Sequence, residues 1–413
     1  MLSHVVRSIK RGIKLKVIQH LKRKGIVLLS DTTLRDGEQM PGLRLRPEAK
    51  VAIARALAAA GFHSIDAGFP AAAPEEVEAI RRIVAEVRGP ILTAHCRTLA
   101  ADIDRAAEAL AEAPIHKRGV SLFLGTSPQH REHKHRRSKA EIIRMAVEAI
   151  AYAKQQRFVI IAFGPEDASR TEPDFLHEIY REAIAAGATT IGFADTVGIL
   201  TPEKAADRIK AIQDSVPELS RALLGVHFHN DLGLGTANAL ACVAQGANIV
   251  QGTINGIGER AGNTALEEVV VALHLHRDQY RVKCGVDPRH LAGLSRLVAR
   301  LTGLTPPPNK AVVGANVFTT EAGVHQDGLI KDPSTYLPFP PELIGADPVR
   351  LVLGKHSGQQ AVRHRLRLHG RHLPDEQVRR VVEHLKLGAR RRLYETEEDL
   401  DGLLREVFDE PQR

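Results

Sequence analysis

The 413-residue chain has little of several features, and each shortage excludes a class of protein. It has no tryptophan and only 4% aromatic residues, so it lacks the stacking side chains typical of single-stranded nucleic-acid binding. No apolar run approaches the roughly 18 residues of a membrane span. Its three scattered cysteines, Cys96, Cys242 and Cys284, predict neither a disulfide framework nor a cysteine-based zinc site. We therefore expect a cytoplasmic protein with no nucleic-acid partner and no membrane span.

The formal net charge of +8 is concentrated at the N-terminus. The first thirty residues contain eight Lys and Arg and no acidic residue, so the remainder is nearly balanced. Apolar residues recur there every four positions, as on one side of a helix: Val5, Ile9, Ile13, Val17 and Leu21. Such a segment could lie on a membrane, serve as a presequence, dock on a partner, or rest as a solvated arm on its own protein.

From residue 26 to about 276, short β-branched runs alternate with alanine-rich helical stretches. The strand candidates are Val27–Leu29, His63–Ala67, Ile91–Ala94, Val120–Leu124, Val159–Phe163, Thr190–Phe193, Leu224–Phe228 and Ile249–Thr253. Eight βα units over about 250 residues predict an α/β fold, a closed (β/α)8 TIM barrel. The rival, an open doubly wound sheet, would more naturally show a GxGxxG fingerprint after its first strand. DTTLRDG at 31–37 does not match that fingerprint.

Composition divides the chain into four segments. We expect residues 1–26 to form the basic extension and residues 27–285 to form the barrel domain, which would hold the active site. Three consecutive prolines in TGLTPPPNK mark the end of a helical linker at 286–310. Residues 311–413 are expected to form a small mixed lid followed by a C-terminal helical region.

The motif HFHND at the end of the seventh strand carries the clearest chemistry. Alternate side chains of a strand share a face, so His227 and His229 should both point into the barrel mouth. Asp36 follows the first strand, a near neighbour in a closed barrel, and an Asp–His–His set leaves a divalent ion with open positions. A bidentate 2-oxoacid could fill them, with Arg35 stabilising the developing alkoxide. Alternatively, Arg35 and Asp36 form a structural salt bridge and the histidines are ordinary rim residues.

Four motifs resemble the acyltransferase branch of the DRE-TIM metallolyase superfamily, which contains the 2-isopropylmalate, homocitrate and citramalate synthases. They are DTTLRDGEQMPG at 31–42, HFHNDLGL at 227–234, NGIGERAGN at 255–263 and GVHQDG at 323–328. The first is also similar to motifs in lyases and biotin-dependent carboxylases, whereas the other three select the condensing branch. The resemblance implies condensation of acetyl-CoA, the co-substrate, with a 2-oxoacid at a divalent metal (Mg, Mn, Co or Zn).

The resemblance also assigns roles to individual residues. It implies that Asn263 completes or braces the metal site of Asp36, His227 and His229. Glu166 and His325 would form the acid/base pair that enolises acetyl-CoA, with Tyr336 near the reacting centre. Thr196 and Gln39 would bind the 2-oxoacid. Because the family's equivalent of His325 reaches the barrel of the other subunit, a homodimer is implied.

Each role has a structural alternative. Glu166 could pair with Arg170, His325 could cap a loop, and Tyr336 could be packing. The glycines at 256, 258 and 262 could cradle a CoA phosphate or simply form turns. An acyl-CoA lyase and a non-catalytic metal-binding scaffold are the other classes considered, but lyases lack the segment with His325 and Tyr336.

Sequence features rank the possible 2-oxoacids only loosely. Isopropylmalate synthases usually carry a further leucine-sensing domain, for which about fifty residues after Gly358 leave no room, and the Ala194–Asp195–Thr196 triplet resembles homocitrate synthases. We therefore rank a homocitrate synthase, most similar to the nitrogen-fixation type, first and a 2-isopropylmalate synthase second. Gly164 and Ala162 nevertheless replace the Ser and Arg with which lysine-pathway homocitrate synthases hold a distal carboxylate. Ser121 replaces the His that is usual in isopropylmalate synthases.

The stretch QHREHKHRRSK at 129–139 is unusually basic. It is either a solvated loop or, if it faces the barrel mouth, a site for a strongly anionic substrate. The second interpretation would suit a synthase of the 2-phosphonomethylmalate type that uses phosphonopyruvate, which we rank third.

Overall fold

The structure, a computed structural model, describes residues 15–387 and 394–409. The chain divides into two compact units, Met1–Thr305 and Pro306–Arg413. All three cysteines are free thiols, and Cys96 and Cys242 are buried. Among the described residues, no helix is both long and apolar enough to cross a bilayer.

The first unit is a closed barrel of eight parallel strands. They are β1 (Ile26–Asp31), β2 (Ser64–Asp66), β3 (Ile91–Arg97), β4 (Arg118–Gly125), β5 (Ile160–Glu166), β6 (Thr190–Asp195), β7 (Leu223–Phe228) and β8 (Ile249–Gly252). Each strand pairs with the next, and β1 closes the barrel by pairing with both β2 and β8. A short β9 (Lys283–Cys284) extends the sheet beside the start of β1. The predicted TIM barrel is confirmed.

Helices surround the barrel and cover the outward faces of its strands. They are α1 (residues 15–23), α2 (Pro47–Ala59), α3 (Pro74–Glu86), α4 (Ala100–Ala109), α5 (Lys139–Gln155), α6 (Pro173–Ala186), α7 (Pro202–Ser215), α8 (Gly235–Ala244), α9 (Leu266–Leu275), α10 (Arg277–Tyr280) and α11 (Leu291–Thr302). Proline begins α2, α3, α6 and α7, where the first turn has no use for its missing N–H. Ser138 begins α5 with a capping box completed by Glu141.

Helix α1 packs on the barrel. Ile18 is buried, and Lys22 Nζ donates a hydrogen bond to the Leu219 carbonyl at 2.6 Å. Val17, Ile18 and Leu21 line the barrel cavity together with residues such as Leu28 near the starts of the strands. Helix α1 therefore rests on the protein chiefly through Ile18, whereas Val17 of the predicted stripe is 53% exposed. Val5, Ile9 and Ile13 of the predicted stripe lie outside the described residues.

The second unit is a small mixed domain. It contains β10 (Thr319–Thr320), α12 (Gly323–Lys331), β11 (Arg350–Leu351), α13 (Gln359–Leu368), α14 (Asp375–Leu387) and α15 (Glu397–Phe408), with β10 and β11 paired in parallel. Its apolar core joins the last three helices around side chains such as Val362, Val381 and Leu403. Gln326 is fully buried, and its Nε2 donates to the carbonyls of Thr320, at the end of β10, and Val352, directly after β11.

Candidate metal centre and active site

Asp36, His227 and His229 converge at the C-terminal ends of β1 and β7. One ligand atom from each lies within 4.8 Å of the others. Asp36 Oδ2 is 3.1 Å from His227 Nε2 and 3.6 Å from His229 Nε2. The strand alternation and the neighbouring positions of β7, β8 and β1 therefore bring together the three side chains that the sequence predicted.

The donor set fits a divalent cation. His229 Nδ1 lies 2.8 Å from the Thr196 carbonyl and 2.6 Å from Arg260 Nη2, while its Nε2 lies 3.6 Å from Asp36 Oδ2. That Nε2 atom is buried and has no hydrogen-bond partner among the described residues. Asn263 Oδ1 is likewise buried without such a partner, and the Asn263 backbone pairs with that of His229. Buried nitrogen and oxygen atoms without a hydrogen-bond partner are expected where a metal ion is bound between them.

The electrostatics favour metal-binding protonation states of Asp36 and His227. Burial alone would raise the pKa of Asp36, but the Arg35 guanidinium and the neighbouring His227 and His229 side chains outweigh it and hold that pKa well below its ordinary value. Burial lowers the pKa of His227 despite the nearby Asp36. A carboxylate and neutral imidazoles are the forms that coordinate metals.

Arg35 is held between two carboxylates. Its Nε atom lies 2.9 Å from Asp66 Oδ2, its Nη1 lies 3.4 Å from Asp36 Oδ2, and it also reaches Gln39 Oε1 at 3.5 Å. Burial raises the pKa of Asp66 even though Arg35 opposes that shift. The sequence reasoning missed Asp66. Its signal was available, because Asp66 ends β2 on the same face as the inward Ser64.

Glu166 ends β5 at the barrel mouth, and its partner is Lys134 rather than Arg170. Lys134 Nζ is 2.6 Å from Glu166 Oε2, while Arg170 pairs with the buried Asp167. Lys134 belongs to a single π-helical segment, His130–His135, within the basic stretch. At least one side chain of that stretch therefore faces the site, and the alternative of a Glu166–Arg170 pair is wrong.

Thr196 lies between the metal cluster and the Glu166 loop. Its Oγ1 accepts a hydrogen bond from the Asp167 N–H at 2.8 Å, and its carbonyl accepts one from Arg260 Nη2 at 2.8 Å. The hydroxyl proton remains available for a ligand. Thr196, Gln39, Arg35 and Glu166 all line one cavity with the metal cluster. Their roles toward substrate stay predictions.

The glycines of NGIGERAGN form a tight turn. A Cβ on Gly262 would collide with the Gly256 carbonyl, and one on Gly258 would collide with Asn263 Nδ2. Both have positive φ, 87° for Gly262 and 159° for Gly258. The turn thus brings the Asn263 amide against the loop, where its Nδ2 donates to the Ile257 carbonyl at 3.2 Å. This geometry accounts for these two glycines without a phosphate.

In the second unit, His325 and Tyr336 form a stacked pair. Their ring centroids are 4.1 Å apart with an interplanar angle of 30°. A Cβ on Gly328 would approach the Tyr336 ring to 2.5 Å, so the second glycine of GVHQDG makes room for Tyr336 on α12. The two predicted residues are therefore neighbours. Their catalytic roles, and the pairing of His325 with Glu166, stay predictions.

Comparison with known sequences identifies the family. Residues 27–298 match the HMGL-like family, and residues 312–393 match the family described as homocitrate synthase post-HMGL domain-like. The protein belongs to the HMGL-like family, within the DRE-TIM metallolyase superfamily. It is an enzyme, an acyltransferase of the class that converts acyl groups into alkyl groups on transfer.

Two curated relatives are 2-isopropylmalate synthases. That of Pyrococcus furiosus is 46% identical over 380 residues, which cover 92% of this chain and 76% of the relative. That of Synechocystis is 44% identical over 399 residues, which cover 93% and 74%. These relatives favour the isopropylmalate alternative over the homocitrate synthase that we ranked first.

Solved structures with lower identity share the barrel fold. Hydroxymethylglutaryl-CoA lyase from Pseudomonas aeruginosa is 21% identical, with a TM-score of 0.58 over 68% of this chain and 94% of the lyase. The carboxyl transferase domain of Rhizobium etli pyruvate carboxylase is 17% identical, with a TM-score of 0.56 over 72% of this chain and 50% of that one.

Proposed function

We propose that the protein condenses acetyl-CoA with a 2-oxoacid that has an apolar side chain, as in a 2-isopropylmalate synthase, and releases CoA. The main support is the buried cluster of Asp36, His227 and His229 with Arg35 beside it. The names of the curated relatives support the same reaction. A homocitrate synthase is the second candidate, supported by the match of residues 312–393.

The bonds change in two stages. A base removes a proton from the acetyl methyl group, and the resulting enolate carbon attacks the keto carbon of the 2-oxoacid. The new alkoxide takes up a proton, and water then hydrolyses the thioester to give a 2-substituted malate and CoA. A divalent ion held by Asp36, His227 and His229 would polarise the keto carbonyl as a Lewis acid.

The protein's own residues would position the reactants and move the protons. Arg35 is fixed by Asp66 and can stabilise negative charge on the keto oxygen without reorganising. Thr196 would donate its hydroxyl proton to the 2-oxoacid carboxylate, with Gln39 as a further contact. Glu166 and His325 would form the acid/base pair, and Tyr336 would orient His325 through their stacked rings.

The decisive experiment measures free CoA released by the full-length protein with Mn²⁺ and acetyl-CoA. We expect release with 2-oxoisovalerate well above the rate without a 2-oxoacid. Release with 2-oxoglutarate alone would establish the second candidate, and release with phosphonopyruvate alone would establish the phosphonate interpretation. The absence of release with any 2-oxoacid would refute the condensation.

We also propose that the enzyme is a cytoplasmic homodimer. The dimer follows from the family resemblance of the GVHQDG segment, and the free thiols fit a reducing compartment. Light scattering of the purified protein tests the dimer, because a monomeric mass would contradict it.

A further inference from the structure

The barrel interior is unusually open beneath one side of the active site. The cavity that contains the metal cluster has a volume of about 680 Å³ and continues down into the barrel. TIM-barrel interiors are normally filled by layers of bulky branched side chains. Here β4, β5 and β6 contribute mostly small inward residues: Ser121, Ala162, Gly164, Thr190, Gly192 and Ala194.

The burial pattern shows that the outward side chains of β5 and β6 do not fill this space. Along β5 and β6 the outward residues, such as Phe163 and Phe193, are completely buried against the helices. The inward residues of the same strands remain partly accessible. A Cβ built on Gly164 would meet no atom within 4 Å. Gly164 precedes Glu166 by two residues on the same face of β5, so the empty space lies beside the acid/base candidate.

The adjoining wall, formed by Phe123 of β4 and His95 of β3, is aromatic and uncharged. His95 stacks on Phe123 with 4.4 Å between ring centroids and a 5° interplanar angle, and Phe69 meets both rings edge-on. Burial holds the pKa of His95 well below its ordinary value, so this ring is neutral. The wall therefore presents a flat apolar face to the cavity.

The cavity offers no free cation to a second carboxylate. Arg35 is the one Lys or Arg side chain among the residues that line it, all of which lie in the described ranges. Arg35 is already engaged by Asp66 and Asp36. A distal carboxylate of the substrate would be desolvated there without a partner, which is strongly unfavourable.

From this geometry we infer that the preferred 2-oxoacid carries an uncharged apolar side chain bulkier than isopropyl, such as isobutyl or benzyl. The side chain lies over the small residues of β4–β6 and against the Phe123–His95 face. The inference rests on the proposed condensation and adds the substrate class to it. Ser121, Ala162 and Gly164 are then the residues that set the size of the substrate.

The test compares kcat/KM for CoA release across a series of 2-oxoacids at fixed Mn²⁺ and acetyl-CoA. We expect 4-methyl-2-oxopentanoate or phenylpyruvate to exceed 2-oxoisovalerate by about 10-fold or more, the range of discrimination that added apolar groups provide in a pocket. Equal or higher kcat/KM with 2-oxoisovalerate, pyruvate or 2-oxoglutarate overturns the size inference and leaves the condensation standing. No release with any member overturns the condensation and this inference with it.

The variant Gly164→Val tests whether the substrate side chain lies beside Gly164. Valine suits the strand, and its Cβ has room, so the variant should fold while its methyl groups fill the empty space. We expect kcat/KM for the bulkier substrate to fall about 10-fold or more, with 2-oxoisovalerate changing less than about 3-fold. Gly293→Val makes the same change at an exposed glycine of α11. It should leave the ratio of kcat/KM for the bulkier substrate to kcat/KM for 2-oxoisovalerate unchanged. An unchanged ratio in Gly164→Val places the substrate side chain elsewhere and overturns the assignment.

Discussion

The two halves of the barrel mouth are built from different kinds of side chain. Strands β7, β1 and β2 and the turns after them hold charged and metal-binding groups in fixed contacts, as in the Asp36 cluster and the Arg35–Asp66 pair. Strands β3 to β6 hold small and aromatic groups around open space. The first half holds the metal site, whereas the second, apart from Glu166 at the end of β5, determines which side chain the substrate can have. Substitutions in the two halves should therefore change different measured quantities.

The largest effect is expected in the charged half. Asp36→Ala removes the carboxylate that lies against both histidines, so the protein should lose its metal and at least about 10³-fold in kcat, since a Lewis acid contributes several kcal/mol to the barrier. Metal content by mass spectrometry and CoA release measure the two losses. Asp214→Asn is the control, because Asp214 is an exposed aspartate that pairs with Lys210 and has no contact with the cluster. A variant of Asp36 that retained stoichiometric metal would contradict the ligand assignment.

A smaller effect is expected at Glu166, the acid/base candidate at the end of β5 in the open half. Lys134 lies 2.6 Å from Glu166, so Lys134→Met should leave the carboxylate free to rotate and lower kcat by about 10–100-fold, as loss of an orienting partner does elsewhere. KM for the 2-oxoacid should change little, and Lys134→Arg, which keeps the cation, should recover most of kcat.

Lys139→Met provides the control for Lys134, because Lys139 is near in sequence but pairs with Glu172 at 3.2 Å. It should retain activity within about 3-fold, as expected for an exposed ion pair. Equal losses of kcat in Lys134→Met and Lys139→Met would show that Lys134 stabilises the π-helical segment and does not orient Glu166.

The contrast between the halves also explains which features the sequence could predict. All eight strands were predicted near their observed positions, because β-branched runs bounded by helical stretches depend on local patterning. Most predicted strands were too short at the C-terminal end. Strand β3 continues to Arg97 and β5 to Glu166, where polar residues replace the apolar pattern at the mouth. The catalytic ends of the strands were thus the parts that hydrophobic patterning missed.

The metal cluster was predictable because a strict two-residue spacing on one strand fixes where His227 and His229 point. The partner of Glu166 was not predictable in the same way. Lys134 reaches it from a π-helical segment whose basic composition is equally typical of a solvated loop. The open cavity was also not predictable from the sequence. A small residue on one strand indicates a cavity only when its neighbours on the adjacent strands are known to be small as well.

The smallest effect concerns the stability of the rim next to the open half. Glu172 accepts two hydrogen bonds from Arg131, at 2.7 and 2.8 Å, and these chiefly lower the pKa of Glu172 to about 2. A carboxyl group with a lowered pKa stabilises the fold above its ordinary pKa, and this stabilisation is lost as the pH falls toward the folded value. Because Glu172 is partly exposed, Glu172→Gln should cost only about 0.2–1 kcal/mol at pH 7 and lower the thermal midpoint by at most about 2 °C. The difference from the unmodified protein should shrink between about pH 4.5 and pH 2, and kcat should stay unchanged because Lys134, not Arg131, contacts Glu166. A large loss of kcat in Glu172→Gln would instead show that the whole basic segment, and not Lys134 alone, positions the acid at the open half of the mouth.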